Sequence, residues 1–248
     1  MGCDRRLTTV KEVISFVESP CVLILGASGV LGGALVKAFH GKAYRILGTG
    51  FRRMPSTQLA LQLDATDASE MPKLEQWLDE YTSRLGVVVH SIGSIADHRL
   101  PQMSNTEWQH ALDVHLKSAY LISRLLLPRF IKQRGGHFIF ISSWAGRVGR
   151  VGQVNYAASK AGLIGLVQSI AREYASRKVL ANGVIPGVFR SPMTEKLSPE
   201  VLERLWDGAV LKEFADLEET AQFIVHLAGM RGVTGQIFQL DGRIPVVI

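Results

Sequence analysis

The sequence predicts an α/β protein, one doubly wound domain in which a mainly parallel sheet is flanked by helices on both faces. Short apolar runs alternate with longer segments of helical periodicity, and parallel neighbouring strands need crossovers of that length. No repeat, low-complexity tract or flexible linker divides the 248 residues. The hydrophobic fraction of 47% is sufficient for a large core and excludes disordered and fibrous classes. We therefore expect a single dinucleotide-binding domain over 1–248.

Seven apolar runs are predicted as strands and five periodic segments as helices, after a helical prelude over 1–20. The expected strands cover 21–25, 44–47, 59–63, 87–89, 137–141, 179–185 and 236–240. The expected helices cover 30–40, 69–84, 105–133, 154–177 and 216–228. Ligands of such sheets bind outside the carboxyl ends of the strands, where the strand order reverses. The residues directly after each run are therefore the candidates for function.

Composition and charge argue against several other classes of protein. Cys3 and Cys21 are too far apart for a paired metal site, and a reduced, cytoplasmic protein without a metal is expected. No apolar run is long enough to cross a membrane. The formal charge of +6 could attract nucleic acid, but the basic residues are scattered, so we expect no nucleic-acid partner.

A glycine-rich turn follows the first predicted strand and opens a helix. Residues 26–33 read GASGVLGG. Glycines allow the backbone to turn tightly and to approach a pyrophosphate, whose charge is met by free amides at the helix N-terminus. The residues expected to contact a dinucleotide here are Gly26, Ser28, Gly29, Val30, Leu31 and Gly32.

Two arginines stand where an NAD-binding protein would have an acidic residue, at the end of the second strand. Arg52 and Arg53 can hold the 2′-phosphate of NADP through charge-assisted hydrogen bonds. A solvated basic turn is the competing interpretation. Asp64, after the third run, can accept from an adenine amine, and a helix cap or a turn explains it nearly as well. The predicted cofactor is NADP(H).

Tyr156 and Lys160 lie four residues apart in the predicted helix 154–177, so they share a face. A nearby cation favours phenolate and is expected to lower the tyrosine pKa from about 10, as suits a general acid for a carbonyl oxygen. Ser143 follows the run 137–141, so it should lie at the same sheet edge and donate to the same oxygen. By itself, the tyrosine–lysine spacing also fits a partly exposed helix face.

Taken together, these motifs resemble the short-chain dehydrogenase/reductase family from Cys21 to about Gly242. The matching pieces are GASGVLGG at 26–33, LDATD at 63–67, Ser143, YAASK at 156–160, NGVIPG at 182–187 and TGQIFQLDG at 234–242. The resemblance implies a Rossmann-type fold and hydride transfer between NADP(H) and a carbonyl or alcohol.

The resemblance also implies a role for each matching residue. Tyr156 would protonate the substrate oxygen, Lys160 would hold the nicotinamide ribose, and Ser143 would orient the carbonyl. Further cofactor contacts are implied for Gly93, Pro186, Gly187 and Ser191.

Within this family the stretches 155–177 and 184–194 are most similar to 3-oxoacyl-acyl-carrier-protein reductases. Those enzymes dock an acidic carrier protein on arginines, and the matching positions are Arg134 and Arg177, which could equally be ordinary solvated side chains. The resemblance implies a homotetramer, and the apolar residues 244–248 are expected in a subunit interface.

Three positions depart from the family pattern. Val30 replaces the middle glycine of the first motif, which should leave cofactor binding intact. Residues 90–93 read HSIG where the family has Asn-Asn-Ala-Gly. This segment resembles enoyl reductases of the same superfamily, but those enzymes have their tyrosine and lysine at a different spacing. His115 replaces an asparagine that helps to hold a water in a proton relay. The imidazole could either continue the relay and titrate near neutral pH, or simply pack inside the helix.

Three functional hypotheses follow. The leading one is NADPH-dependent reduction of a 3-oxoacyl thioester, carried by an acyl carrier protein, to the 3-hydroxyacyl product in fatty acid or polyketide biosynthesis. The second is an NADP-dependent dehydrogenase acting on a free alcohol or ketone. The third is a cofactor-binding regulatory protein with decayed catalysis, against which the presence of Ser143, Tyr156 and Lys160 argues.

Overall fold

The computed structural model describes residues 20–94, 97–190, 194, 203, 206 and 209–243. A seven-stranded parallel sheet forms its centre, in the order β3-β2-β1-β4-β5-β6-β7. The strands are β1 (Cys21–Leu25), β2 (Arg45–Gly50), β3 (Leu59–Gln62), β4 (Leu85–His90), β5 (Gly136–Ile141), β6 (Val179–Pro186) and β7 (Ile237–Leu240). The predicted doubly wound α/β fold is confirmed.

Helices cover both faces of the sheet. They are α1 (Val30–Phe39), α2 (Met71–Tyr81), α3 (Asn105–Leu112), α4 (Ser118–Lys132), α5 (Ala145–Val148), α6 (Val154–Tyr174) and α7 (Leu217–Gly229). Apolar side chains of α2, α4 and α6 fill one layer, and those of α1 and α7 fill the other. All five residues of β1 are fully buried between the layers, which explains their uninterrupted apolar run.

The strand order reverses beside β1, and this reversal positions the candidate site. Leu25, the last residue of β1, is in register with Thr49 of β2 and His90 of β4. The glycine-rich turn that follows Leu25 therefore emerges between two neighbouring strand ends, in the crevice where doubly wound sheets bind ligands.

The main departure from the predicted elements lies in the segment 105–133, which is not one continuous helix. A π-helical turn over Asp113–Lys117 separates α3 from α4, and the backbone N–H of Ser118 donates to Asp113 O. The short helix α5 was not predicted either. The N-terminal prelude, apart from Pro20, and the tail 244–248 lie outside the described residues. Within the part described, no helix combines the length and apolarity needed to cross a bilayer.

Candidate active site

Two glycines of the glycine-rich turn, Gly26 and Gly32, pack against their neighbours with no room for a side chain. Gly26 has a φ of +80°, and a Cβ there would lie 3.1 Å from Ser91 O. A Cβ on Gly32 would lie 2.1 Å from Gly26 O, so α1 rests directly on the turn. Gly29 caps α1 without any side-chain hydrogen bond, which leaves first-turn amides available to an anion. This cradle fits the pyrophosphate of a dinucleotide.

A cleft of about 350 Å³ opens between α1 and the segment after β2. Its lining residues are Ala27, Ser28, Gly29, Gly33, Val36, Lys37, Arg53, Met54, Pro55 and Ser56. Arg53 donates from Nη2 to Ser28 O at 3.2 Å, which directs its guanidinium along the glycine turn. The guanidinium of Arg52 instead lies 5.9 Å from the Phe51 ring centroid, and Arg52 does not line the cleft. The two arginines therefore have different surroundings.

Lys37 is a cleft residue that the sequence reasoning did not single out. It lies on α1 four residues after Gly33 and eight after Gly29, so helical periodicity places the three on one face. With Arg53 it gives the cleft two cationic side chains, which suits a phosphate group.

The side chain of Asp64 stabilises the local turn that it begins, by accepting hydrogen bonds from Thr66. Its Oδ1 accepts from Thr66 N at 2.9 Å and from Thr66 Oγ1 at 2.7 Å. This is the Asx-type arrangement that competed with adenine recognition in the sequence interpretation. The contacts of Asp64 favour the turn.

Ser143 and Tyr156 meet at the carboxyl edge of the sheet. Ser143 follows β5, Tyr156 lies in the first turn of α6, and the two side chains are near enough for Ser143 to influence the pKa of the phenol. The Ser143 Oγ also accepts from Ala145 N at 3.3 Å, which fixes the hydroxyl at the start of α5. Burial raises the pKa of Tyr156 above its ordinary value of 10, and the Ser143 side chain opposes this rise. The expectation of a lowered tyrosine pKa is therefore wrong for this structure.

The reason is the environment of Lys160, whose ammonium group is committed elsewhere. Nζ donates to Ile141 O at 2.9 Å and lies 5.6 Å from the Tyr156 ring centroid. Lys160 is only 3% exposed, and burial lowers its pKa to about 7. A lysine that is partly neutral at pH 7 exerts little pull on a neighbouring phenol, so desolvation dominates the tyrosine pKa.

His115 projects inward from the π-helical turn and joins two parts of the site. Its Nε2 accepts from the backbone N–H of Ser94 at 3.0 Å. Its Nδ1 lies 2.9 Å from Ser159 Oγ, which itself donates to Tyr156 O at 2.7 Å. Because Ser159 gives its proton to that carbonyl, Nδ1 carries the imidazole proton and donates. The ring meets the Tyr156 ring edge to face at a centroid distance of 5.1 Å.

These contacts favour the packing alternative for His115. Both ring nitrogens have protein partners, and neither is left for a relay water. Burial and the nearby Lys160 lower the pKa of His115 to about 2, so the expectation that it titrates near neutral pH is wrong. The buried His90 has one such contact, with Nε2 at 2.8 Å from Ser118 Oγ, and burial lowers its pKa to about 3.

The remaining predicted residues divide between the two edges of the sheet. Gly93 lies beside His115, where a Cβ would be 3.7 Å from Nε2, and Pro186 and Gly187 lie at the end of β6. Ser191 is outside the described residues. Arg134 and Arg177 are exposed and precede β5 and β6, so they lie at the opposite edge from Ser143. Six residues of β5 separate these edges, or about 20 Å.

The fold and this arrangement agree with comparisons to known proteins. Residues 44–242 match a family described as Enoyl-(Acyl carrier protein) reductase. A 3-oxoacyl-(acyl-carrier-protein) reductase of Thermotoga maritima is 31% identical over 244 residues, covering 93% of this chain and 99% of that protein. The chain belongs to the short-chain dehydrogenase/reductase family. Its predicted oxidoreductase class is thereby established.

Two further proteins are similar over shorter alignments. A 3-oxoacyl-(acyl-carrier-protein) reductase of Staphylococcus aureus is 35% identical over 185 residues, 74% of this chain and 75% of that protein. Nodulation protein G of Rhizobium meliloti is 30% identical over 236 residues, 91% of this chain and 96% of that protein. In the described part of this chain, no group of three or more His, Cys, Asp or Glu side chains could hold a metal ion.

Proposed function

We propose that this short-chain reductase uses NADPH to reduce the 3-oxo group of an acyl thioester to the 3-hydroxyacyl product. The observation that carries the proposal is the placement of Ser143, Tyr156 and Lys160 together at the sheet edge that also presents the glycine turn. Relatives named 3-oxoacyl-(acyl-carrier-protein) reductase support the thioester substrate.

The protein residues divide the work of carbonyl reduction between them. The bound cofactor supplies the hydride. Ser143 donates a hydrogen bond to the substrate oxygen and orients the carbonyl. Tyr156, whose raised pKa keeps it protonated at neutral pH, delivers its proton to that oxygen as negative charge develops. Lys160, whose Nζ lies 5.6 Å from the Tyr156 ring centroid, would bind the nicotinamide ribose of the cofactor.

The cleft beside α1 supports NADPH as the cofactor. Lys37 and Arg53 line it together, and the amides that begin α1 adjoin it. A 2′-phosphate there would meet two cations and gain charge-assisted hydrogen bonds. Among the lining residues of this cleft there is no Asp or Glu to bind the ribose hydroxyls of NADH.

Enoyl reduction is the second candidate, because the matching family is described by that activity. The HSIG segment at 90–93 resembles enoyl reductases as well. The one-turn spacing of Tyr156 and Lys160 on α6 argues for the carbonyl instead, since enoyl reductases space these residues differently.

A substrate panel with both nicotinamide cofactors tests the proposal. Acetoacetyl thioesters of a carrier protein and of coenzyme A should oxidise NADPH, whereas a crotonyl thioester should not. Tyr156→Phe should lower kcat by about 10²-fold or more, as expected for loss of a general acid. Tyr120→Phe is the matched control, since Tyr120 is exposed on α4. Turnover of crotonyl thioester alone would establish the second candidate, and turnover only of free ketones or alcohols would favour a free substrate.

The proposal includes a cytoplasmic homotetramer that accepts carrier-bound substrate by docking an acidic carrier on Arg134 and Arg177. These arginines lie on adjacent turns, joined where Gly136 N donates to Lys178 O at 3.4 Å. Charge reversal of both to Glu should weaken use of carrier-bound substrate and spare the coenzyme A thioester. Equal loss on both substrates would refute docking there.

A further inference from the structure

A buried ion pair at the end of β7 lies behind the turn that carries Ser143. The side chains of Arg243 and Asp241 are 5% and 6% exposed, and Arg243 Nη1 donates to Asp241 Oδ2. Asp241 Oδ1 also accepts from Arg243 N at 3.0 Å and from Gln239 Nε2 at 2.7 Å. Because an isolated buried charge is costly, these contacts fix the guanidinium in one place.

The fixed guanidinium of Arg243 faces the turn that carries Ser143 and Trp144, which we call the catalytic turn. Arg243 Cζ lies 5.8 Å from the centroid of the Trp144 ring, a cation–π arrangement in a nearly dry environment. Trp144 directly follows Ser143 and caps α5, where Ala145 N donates to Ser143 Oγ. One peptide unit therefore connects the held indole to Ser143, the serine beside Tyr156.

The same end of β7 also holds the segment 209–211. Ala209 forms an antiparallel bridge with Arg243, and Val210 N donates to Gly242 O at 2.8 Å. Leu211 lies so close to Gly242 that a Cβ on the glycine would be 2.5 Å from Leu211 Cβ. Arg243 therefore contacts both the turn that carries Ser143 and the segment 209–211.

We infer that Arg243 is a positioning residue for the reduction. Anchored by Asp241, it holds Trp144 against the sheet edge and thereby keeps the Ser143 hydroxyl directed at Tyr156. It acts through Ser143 and does not touch the reacting atoms. The kinetic part of this inference rests on the proposed carbonyl reduction, whereas the contact between Arg243 and Trp144 does not.

The kinetic test is a double-mutant cycle with Ser143. Arg243→Met should lower kcat about tenfold, because a displaced donor loses alignment with the oxygen, while the KM for NADPH stays unchanged. Arg243→Lys keeps a cation near the indole and should recover part of kcat. In a Ser143→Ala background, Arg243→Met should have little further effect, since the group through which it acts is gone. A full, additive loss in that background would overturn the inference.

Two further variants guard against a simple loss of stability. Asp241→Asn with Arg243→Met removes the whole pair and leaves no buried carboxylate unpaired, so it serves if the single variant does not fold. Arg129→Met breaks the Arg129–Asp79 ion pair between α4 and α2, away from the catalytic turn, and should leave kcat unchanged. A similar loss of kcat in Arg129→Met would overturn the inference.

Tryptophan fluorescence tests the contact without catalysis. Arg243→Met should have an emission spectrum that differs from that of the wild type. The same substitution made in Trp144→Phe should produce no such difference. Persistence of the change without Trp144 would refute the contact. If the wild type reduces no carbonyl, the proposed function fails, and the fluorescence result still decides whether Arg243 holds Trp144.

Discussion

Gly32→Ala should weaken both cofactor binding and the fold, because the new methyl group has nowhere to go. Its Cβ would lie 2.1 Å from Gly26 O, 2.7 Å from Ala27 Cα and 2.8 Å from Gly26 C. All three are backbone atoms, so no side chain can rotate away and α1 must move by about 1 Å to restore van der Waals contact. That movement carries the first-turn amides away from the pyrophosphate position.

The expected magnitude follows from two opposing terms. Overpacking costs about 1–3 kcal/mol, and replacing a helical glycine by alanine returns up to about 1 kcal/mol. A net loss of about 1–2 kcal/mol should lower Tm by about 2–8 °C in a chain of this size. NADPH affinity, measured by fluorescence titration, should fall about tenfold or more.

Gly165→Ala is the matched control, because Gly165 lies within α6 with no atom near its missing Cβ. This variant should raise Tm slightly and leave NADPH affinity unchanged. Wild-type affinity and Tm in Gly32→Ala would refute the close packing of α1 on the turn.

Two other predictions concern charge. The pKa values of the buried His90, His115 and His137 are lowered from 6.5 to about 3, 2 and 4, mainly by burial, so only the unfolded chain binds protons as the pH falls below 6.5. The free energy of unfolding should therefore fall by about 4 kcal/mol between pH 7.5 and 5.5 for the three histidines together, as measured by urea denaturation. His137→Gln should remove about a third of this fall. A free energy of unfolding that does not change with pH would contradict the lowered histidine pKa values. Arg53→Ala should raise the KM for NADPH about tenfold or more with little effect on the KM for NADH. Arg52→Ala should change the ratio of these two KM values much less. If both variants changed the ratio equally, the cleft would not select the 2′-phosphate.

The fold and the closeness of Tyr156 to Lys160 could be predicted because they depend on local patterns. Apolar runs such as 21–25 are buried on both faces, and the one-turn spacing of Tyr156 and Lys160 on a helix is fixed by geometry alone. The edge of the sheet that carries Ser143 follows from the end of a strand. Each of these inferences needs only neighbours in sequence.

The rest depended on contacts between distant segments. The pKa of Tyr156 is set by burial and by where Lys160 directs its ammonium group, which spacing does not reveal. His115 is neutral because of its burial and the nearby Lys160, and its ring is oriented by Ser94 and Ser159, one on each side in the chain. The different surroundings of Arg52 and Arg53 likewise arise from how the segment after β2 folds back on the glycine turn.

The π-helical turn at Asp113–Lys117 makes the number of residues between α3 and α4 important for the site. A π turn accommodates one more residue than an α turn, and each residue of an α-helix advances the direction of side chains by about 100°. Deleting one residue from this turn would restore a continuous helix with the faces of α3 and α4 in about the same relation, but it would redirect the side chains within the turn itself. His115 would then leave its two serine partners, although no active-site residue had been substituted. This part of the protein should tolerate exchanges of side chains on the helix surface far better than the loss of a single backbone unit.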